Sequence, residues 1–90
     1  MSESGSSHDS LSPVDLKLLQ KAFATGDQAV IVDALGVVAR AKGMTAVAQA
    51  TGVTRKALYI ALGEGGNPRF STLLAVADAL GFRLQVAEKK

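Results

Sequence analysis

Residues 47–59 read VAQATGVTRKALY, and they decide the fold because they meet the requirements of two short helices joined at a sharp angle. The backbones of such helices come closest at a small residue, and Ala48 supplies one four residues before the turn. The turn needs a backbone that tolerates positive φ, which Gly52 provides. Thr54 is placed to cap the second helix. The stretch therefore predicts a helix-turn-helix.

The second helix of this motif has an apolar side and a polar side. Leu58, together with Val47 and Val53, is expected to pack against the other helices. The polar residues then lie opposite, near the amino end that enters the major groove of DNA in this motif. Arginine can pair with two acceptors of guanine at once, and tyrosine can stack on a thymine methyl or reach a phosphate. The predicted base-reading residues are Arg55, Lys56 and Tyr59.

Three further residues are predicted to contact phosphate rather than bases. Thr54 presents its hydroxyl and nearby amides at the start of the second helix, which suits a phosphate oxygen. Asn67 and Arg69 are expected to face the flanking DNA backbone. The alternative is that Asn67 and Pro68 form an ordinary turn and that Arg69 is solvated. The glycines at 63, 65 and 66 lack the lysine and following hydroxyl of a nucleotide-binding loop, so we reject that function for them.

Cap residues divide the chain before the motif into two helices. The pair Ser12 and Pro13 predicts the start of the first helix, and Gly26 ends it. Asp27 predicts the cap of the second helix, whose apolar residues repeat at spacings of three and four, and Gly43 ends that one.

The motif and the residues after it complete an all-α fold of five helices. The third helix is expected at Thr45 to Thr51 and the fourth from Thr54 to about Leu62. Residues 63–69 are rich in glycine and predict a loop. Ser71 is predicted to cap a fifth helix, which Gly81 stops.

The spacing of apolar residues changes at the end of the chain. Phe82, Leu84 and Val86 alternate with Arg83 and Gln85, which predicts a C-terminal β-strand with one buried face. A single strand has no partner in a helical chain, so we expect it to pair with the same segment of a second copy. That ribbon would cover the three apolar side chains and create the two-fold axis of a dimer. The alternatives are a frayed tail, or a strand edge that the sheet of a partner protein accepts.

Composition excludes several classes of protein. The chain of 90 residues has no cysteine and one histidine, so neither disulfides nor a structural zinc site of the usual ligands is expected. Residues 1–10 are polar and predict a disordered tail ahead of a single domain at residues 11–90. No apolar run reaches about 18 residues, so we expect a cytoplasmic protein with no contact with membranes.

Charge is distributed unevenly along the chain. Residues 1–39 carry two lysines and five acidic residues, whereas residues 40–90 carry eight basic and three acidic residues. The second part, with a net charge of +5, is the part suited to a polyanion such as DNA.

Catalysis has little support in the sequence. A nucleophile would need a histidine or an equivalent base nearby, and the only histidine is His8 in the polar tail. Asp15, Asp27, Asp33 and Glu64 each fit a helix cap or a solvated face, and no spacing suggests metal ligands. We therefore expect a protein that is not an enzyme and that binds no metal and no cofactor.

A set of residues between about Leu16 and Val86 matches one family of regulators. The matching residues are Gly43, Met44, Ala48, Thr51, Gly52, Leu58, Tyr59, Asn67, Pro68, Phe70, Leu73, Leu80, Gly81, Phe82, Leu84 and Val86. On these residues the chain resembles the addiction-module antidote proteins, a HigA-like antitoxin branch of the Xre/Cro repressor superfamily. One departure is that the helix before the turn is short, because Thr45 lies only three residues ahead of Ala48.

The resemblance implies a λ-repressor-like DNA-binding domain. It implies an antitoxin that neutralises a toxin of the RelE/HigB-like ribonuclease fold. It also implies a homodimer that binds double-stranded operator DNA and represses the operon shared with the toxin. Carried over residue by residue, the DNA-reading role falls on Arg55, Lys56 and Tyr59.

Two other functions remain open at this point. The first is a stand-alone repressor of the Xre type that has no toxin. The second is a protein-interaction module in which the exposed helix docks on a protein rather than on DNA.

Overall fold

The computed structural model describes residues 11–89, which form five α-helices. They are α1 (Pro13–Thr25), α2 (Gln28–Lys42), α3 (Met44–Thr51), α4 (Arg55–Ala61) and α5 (Phe70–Leu80). The predicted all-α fold with five helices is confirmed. The predicted tail at residues 1–10, with His8, lies outside the described residues.

Side-chain caps start the first two helices where the sequence predicts them. The Ser12 hydroxyl oxygen accepts a hydrogen bond of 3.1 Å from the Asp15 amide. The Asp27 carboxylate accepts hydrogen bonds from the amides of Ala29 and Val30 at 2.9 and 3.3 Å. These bonds satisfy amides that the first turn of a helix leaves without a partner.

The prediction that Ser71 caps α5 is wrong. The helix begins one residue earlier, at Phe70, and its cap position is Arg69, with φ −64°, ψ 155° and no side-chain hydrogen bond. The Leu73 amide already donates to the Arg69 carbonyl over 2.9 Å. Ser71 therefore lies inside the first turn, and its hydroxyl does not stand ahead of the free amides that a cap would bond.

The predicted strand at the end of the chain is not formed among residues 11–89. Gly81 adopts φ 90° and turns the backbone at the end of α5, and the Phe82 amide then donates to the Ala77 carbonyl over 3.0 Å. A residue after such a glycine commonly makes an apolar contact with the helix that it follows. This closure directs Phe82 back toward its own domain.

The three residues predicted to form a dimer ribbon have different environments. The Phe82 ring packs edge-on against Phe23 of α1, with the ring centroids 6.2 Å apart, so it belongs to the chain's own core. Leu84 is half-buried and Val86 is fully exposed. A β-strand requires a neighbouring strand to which its backbone amides and carbonyls bond. Burial of Phe82 and Leu84 within a single chain does not provide that neighbour. The structure gives no support to pairing through this segment.

The core lies where the five helices meet, and α1, which packs on α2, contributes two buried residues to it. Its largest fully buried side chains are Leu35, Val47, Leu58, Val76 and Leu80. Burying each such side chain stabilises the fold by about 1.5–3 kcal/mol. The predicted inward orientation of Val47 and Leu58 is confirmed, and Val53 packs half-buried against the same cluster.

Candidate nucleic-acid interface

The turn between α3 and α4 has the backbone that the sequence predicts. Gly52 adopts the left-handed conformation, with φ 77° and ψ 7°, and its amide donates to the Ala48 carbonyl over 2.9 Å. The Thr51 hydroxyl donates to the same carbonyl at 3.3 Å and accepts from the Val53 amide at 3.1 Å. These hydrogen bonds hold the turn in one conformation, and the turn sets the direction in which α4 leaves it.

The predicted cap at the start of α4 is confirmed. The Thr54 hydroxyl oxygen accepts a hydrogen bond of 3.1 Å from the Ala57 amide. The hydroxyl hydrogen is left free to donate to an acceptor outside the chain. Thr54 is exposed, so its hydroxyl is accessible to such an acceptor.

Arg55 and Tyr59 form a pair on the surface of α4. The guanidinium carbon of Arg55 lies 5.7 Å from the centroid of the Tyr59 ring, a distance at which a cation is attracted to the face of an aromatic ring. Residues four apart on a helix are neighbours, so the pairing also limits the rotamers of both side chains. Both residues are exposed, and Tyr59 retains 46% of its accessible surface.

Sequence reasoning missed one residue of this surface, Ile60. The side chain is 65% exposed, although isoleucine is normally buried. At 100° per residue, Lys56 and Ile60 both lie about 160° around α4 from the buried Leu58. They therefore occupy the middle of the exposed face, and Arg55 and Tyr59 lie together along one side of it. The helical spacing of α4 relative to Leu58 predicts that Ile60 lies on this face. The prediction of DNA contacts considered only the polar residues there.

The loop after α4 carries the two other residues that the sequence predicts to contact phosphate. Asn67 and Arg69 are both exposed. The side-chain oxygen of Asn67 accepts from the Gln28 amide group at 3.1 Å, and the same group lies 3.3 Å from the Gly66 carbonyl oxygen. Asn67 thus ties the loop to the first turn of α2, and its own amide group remains a potential donor.

An open groove of about 610 Å³ lies between α2 and the loop. Its lining carries both signs of charge, since Arg40, Asp33 and Glu64 are among the lining residues. Within residues 11–89 no three side chains of the metal-binding types are grouped closely enough to hold an ion. None of the helices in that range has the length and apolar character needed to cross a bilayer. No polar or charged side chain is buried in the same range, so the charged groups of the described residues all reach solvent.

Comparison with known proteins yields a family and a relative. A family model described as "Probable addiction module antidote protein" matches residues 7–88. An uncharacterized protein of Haemophilus influenzae (strain ATCC 51907 / DSM 11121 / KW20 / Rd) is 41% identical over 61 residues. The aligned region is 68% of this chain and 63% of that protein, so this chain spans less than two thirds of the relative's length. No solved structure matches the chain.

Proposed function

Because the chain belongs to the family of probable addiction module antidote proteins, we propose that it is an antitoxin that also binds operator DNA and represses its own operon. The antidote role follows from the family, and it implies a toxin partner. The DNA-binding role and a RelE/HigB-like fold for that toxin are the further parts of the proposal. Operator binding would take place in the cytoplasm.

The exposed face of α4 is the observation that carries the DNA-binding proposal. A tight glycine turn precedes the helix, Leu58 anchors it in the core, and the opposite side bears Lys56 and Ile60 with Arg55 and Tyr59 beside them. We propose that α3 and α4 form a helix-turn-helix and that α4 enters the major groove. The concentration of positive charge after residue 39 supports the same surface.

Each exposed side chain of α4 suits a different feature of the groove. Arg55 would bond the two acceptors of a guanine, and its contact with Tyr59 would hold it in position before binding. Lys56 would reach a guanine or a phosphate. Ile60 would contact a thymine methyl group, which is the apolar feature of the major groove.

Phosphate contacts would orient the domain on the duplex without reading its sequence. Thr54 would donate its hydroxyl hydrogen, and Asn67 and Arg69 would contact the flanking backbone. A pair of such domains related by a two-fold axis would read two half-sites about one helical turn apart. We therefore propose that the operator-bound form is a homodimer.

A fluorescence anisotropy titration tests the proposal. The probe is a labelled duplex of the sequence upstream of the chain's own reading frame, and the control is a scrambled duplex of equal composition. Specific binding should be tighter by about 10³-fold or more. The logarithm of affinity should fall with the logarithm of salt concentration by about one unit for each phosphate contact. Equal affinity for the two duplexes would contradict operator reading.

The exposure of Ile60 also favours a rival function, in which α4 docks on a protein. An apolar side chain at the centre of an exposed helix face is as suitable for a protein groove as for a thymine methyl. In that case the chain would neutralise its toxin but show no affinity for the duplex at low salt, and variants of α4 would weaken neutralisation. A reading frame with no toxin beside it on the chromosome would instead favour the stand-alone repressor.

A further inference from the structure

Helices α1 and α2 form an antiparallel hairpin that carries exposed apolar side chains. Only Gly26 and Asp27 join the two helices, and the start of α1 lies near the end of α2, because Leu11 and Lys42 line one pocket. Four of the exposed aliphatic residues form what we call the hairpin face. They are Val14 and Leu18 on α1, which retain 77% and 37% of their accessible surface, and Val30 and Val37 on α2, which retain 42% and 43%.

The four side chains point away from the core in the same direction. At 100° per residue, the two aliphatic residues of α1 lie about 140° and 100° around the helix from the buried Leu19. The two valines of α2 lie about 140° and 160° from the buried Leu35, in the same rotational sense. The hairpin face is therefore opposite the sides of α1 and α2 that pack into the domain.

The α1 and α2 parts of the hairpin face border the line where the two helices meet. Asp15 of α1 and Ala41 of α2 line the same pocket on that line. Leu18 comes three residues after Asp15, and Val37 comes four residues before Ala41, so each is a neighbour of its pocket residue on the helix surface. The four aliphatic residues thus form one continuous surface across both helices.

Charged residues border the hairpin face along both of its edges. Lys17 and Lys21 each come three residues after one of its α1 members, and Asp33 comes three residues after Val30 and four before Val37. Side chains at these spacings are neighbours on a helix, and all three charged residues are exposed. The face therefore has two cations along its α1 edge and one anion along its α2 edge.

A partner of complementary charge suits this face better than a second copy of the chain. A second copy would bring the same two cations and one anion, and like charges across an interface disfavour a partner. The antidote family implies a toxin partner, and the exposed side of α4 is already proposed for DNA. None of the proposed DNA contacts lies on α1 or α2, so the hairpin face is available to the toxin.

We propose that the toxin docks on the hairpin face. The contacting surface of the toxin is apolar, with an acidic side chain opposite Lys17 and Lys21 and a basic side chain opposite Asp33. The inference rests on the antidote role in the proposed function, and it is independent of operator binding because the two surfaces share no residue. A chain bound to its operator would still accept its toxin.

Isothermal titration calorimetry of the full chain tests the proposal. The probe is the protein encoded by the reading frame next to this chain's own, which we call the neighbour protein. Leu18→Lys should raise the dissociation constant of the complex by about tenfold or more, because it puts a charge among apolar contacts. Circular dichroism and the affinity for the operator should remain unchanged.

The matched control is Leu16→Lys, on the same helix. Leu16 is 42% exposed and lies about 200° around α1 from Leu18, so the variant should bind the neighbour protein as the parent does. Lys21→Glu, on the edge of the hairpin face, should slow association with the neighbour protein. Equal affinities of the Leu16→Lys and Leu18→Lys variants would overturn the proposal.

Two further measurements separate the hairpin face from other surfaces. Ile60→Lys, on α4, should weaken operator binding and leave the affinity for the neighbour protein unchanged. If Ile60→Lys weakened toxin binding and Leu18→Lys did not, the toxin would dock on α4 and the proposal would be wrong. Sedimentation equilibrium of Leu18→Lys alone should match that of the parent, whereas a change in its self-association would assign the face to a second copy.

The outcomes for the parent chain distinguish this proposal from operator binding. A parent chain that does not bind the neighbour protein overturns the docking surface together with the antidote role, even if it binds the operator. A parent chain that binds the neighbour protein through the hairpin face but binds no duplex supports the docking surface and contradicts the DNA-binding proposal alone.

Discussion

The carbonyl oxygen of Leu62 lies so close to Gly36 that a Cβ built on the glycine would stand 2.7 Å from it. Leu62 caps the carboxyl end of α4, and Gly36 is buried in the middle of α2. The end of the helix proposed to read DNA therefore rests on the backbone of α2, at a point where no side chain fits. Because of this contact, the packing of α2 in the core determines where the exposed face of α4 lies.

Gly36→Ala should destabilise the domain by about 1–3 kcal/mol, because the added methyl group forces α4 away from α2. The sign of the change in the free energy of unfolding distinguishes crowding from helix propensity, because propensity alone would make Gly36→Ala stabilising by about 1 kcal/mol. Urea denaturation followed by circular dichroism measures the free energy of unfolding. Val37→Ala, at the next position of α2 and 43% exposed in the parent, is the control for a general effect on the helix. If Gly36→Ala were more stable than the parent, the Leu62 carbonyl would be able to move away from the added methyl group with no loss of stability.

Gly52 should tolerate substitution only by residues that accept positive φ. A Cβ at this position would meet nothing within 4 Å, so the cost comes from the backbone conformation and not from crowding. Gly52→Ala should cost about 1–2 kcal/mol, Gly52→Val should cost more because its side chain is β-branched, and Gly52→Asn should cost least. The same urea titration gives the order. Equal costs for the three variants would argue that φ is not the determining factor.

Arg55→Ala should leave the melting temperature unchanged, because the side chain is exposed. It should weaken operator binding by about 1–3 kcal/mol, because we propose that the guanidinium reads a base. Anisotropy titrations at fixed salt concentration provide the affinities. Lys21→Ala, which removes an exposed positive charge from α1, is the matched control and should change binding little. If the two variants bound the operator equally well, net charge would account for the affinity and α4 would have no reading role.

Ile60 should distinguish thymine from uracil if it contacts a methyl group. Replacing successive thymines of the operator by deoxyuridine should weaken binding of the parent chain at one position in each half-site. Ile60→Ala should weaken binding of the thymine duplex and abolish the difference between the two duplexes. The anisotropy assay gives the four affinities of this cycle. A difference that persisted in the variant would assign the methyl contact to another residue.

The sequence determined the features that depend on neighbouring residues along the chain. The caps at Ser12, Asp27 and Thr54 form within three residues of the amides that they bond, and Gly52 adopts positive φ in a turn closed by its own neighbours. These local hydrogen bonds and steric limits act in the same way wherever the segment lies in space. The number of helices and most of their ends were therefore predictable.

Only the tertiary structure decided which residues face the core and which face solvent. Phe82 alternates with polar residues as a strand would, but the turn at Gly81 and the ring of Phe23 place it in the core. Ile60 and Phe70 resemble core residues, yet they lie on sides of α4 and α5 that no described part of the chain reaches. In the sequence, Gly36 is only a residue of low helix propensity within α2. The structure shows that the Leu62 carbonyl approaches it too closely for a side chain to fit. The physical reason is that burial depends on contacts between segments distant in the chain, and a pattern of apolar residues does not specify its partners.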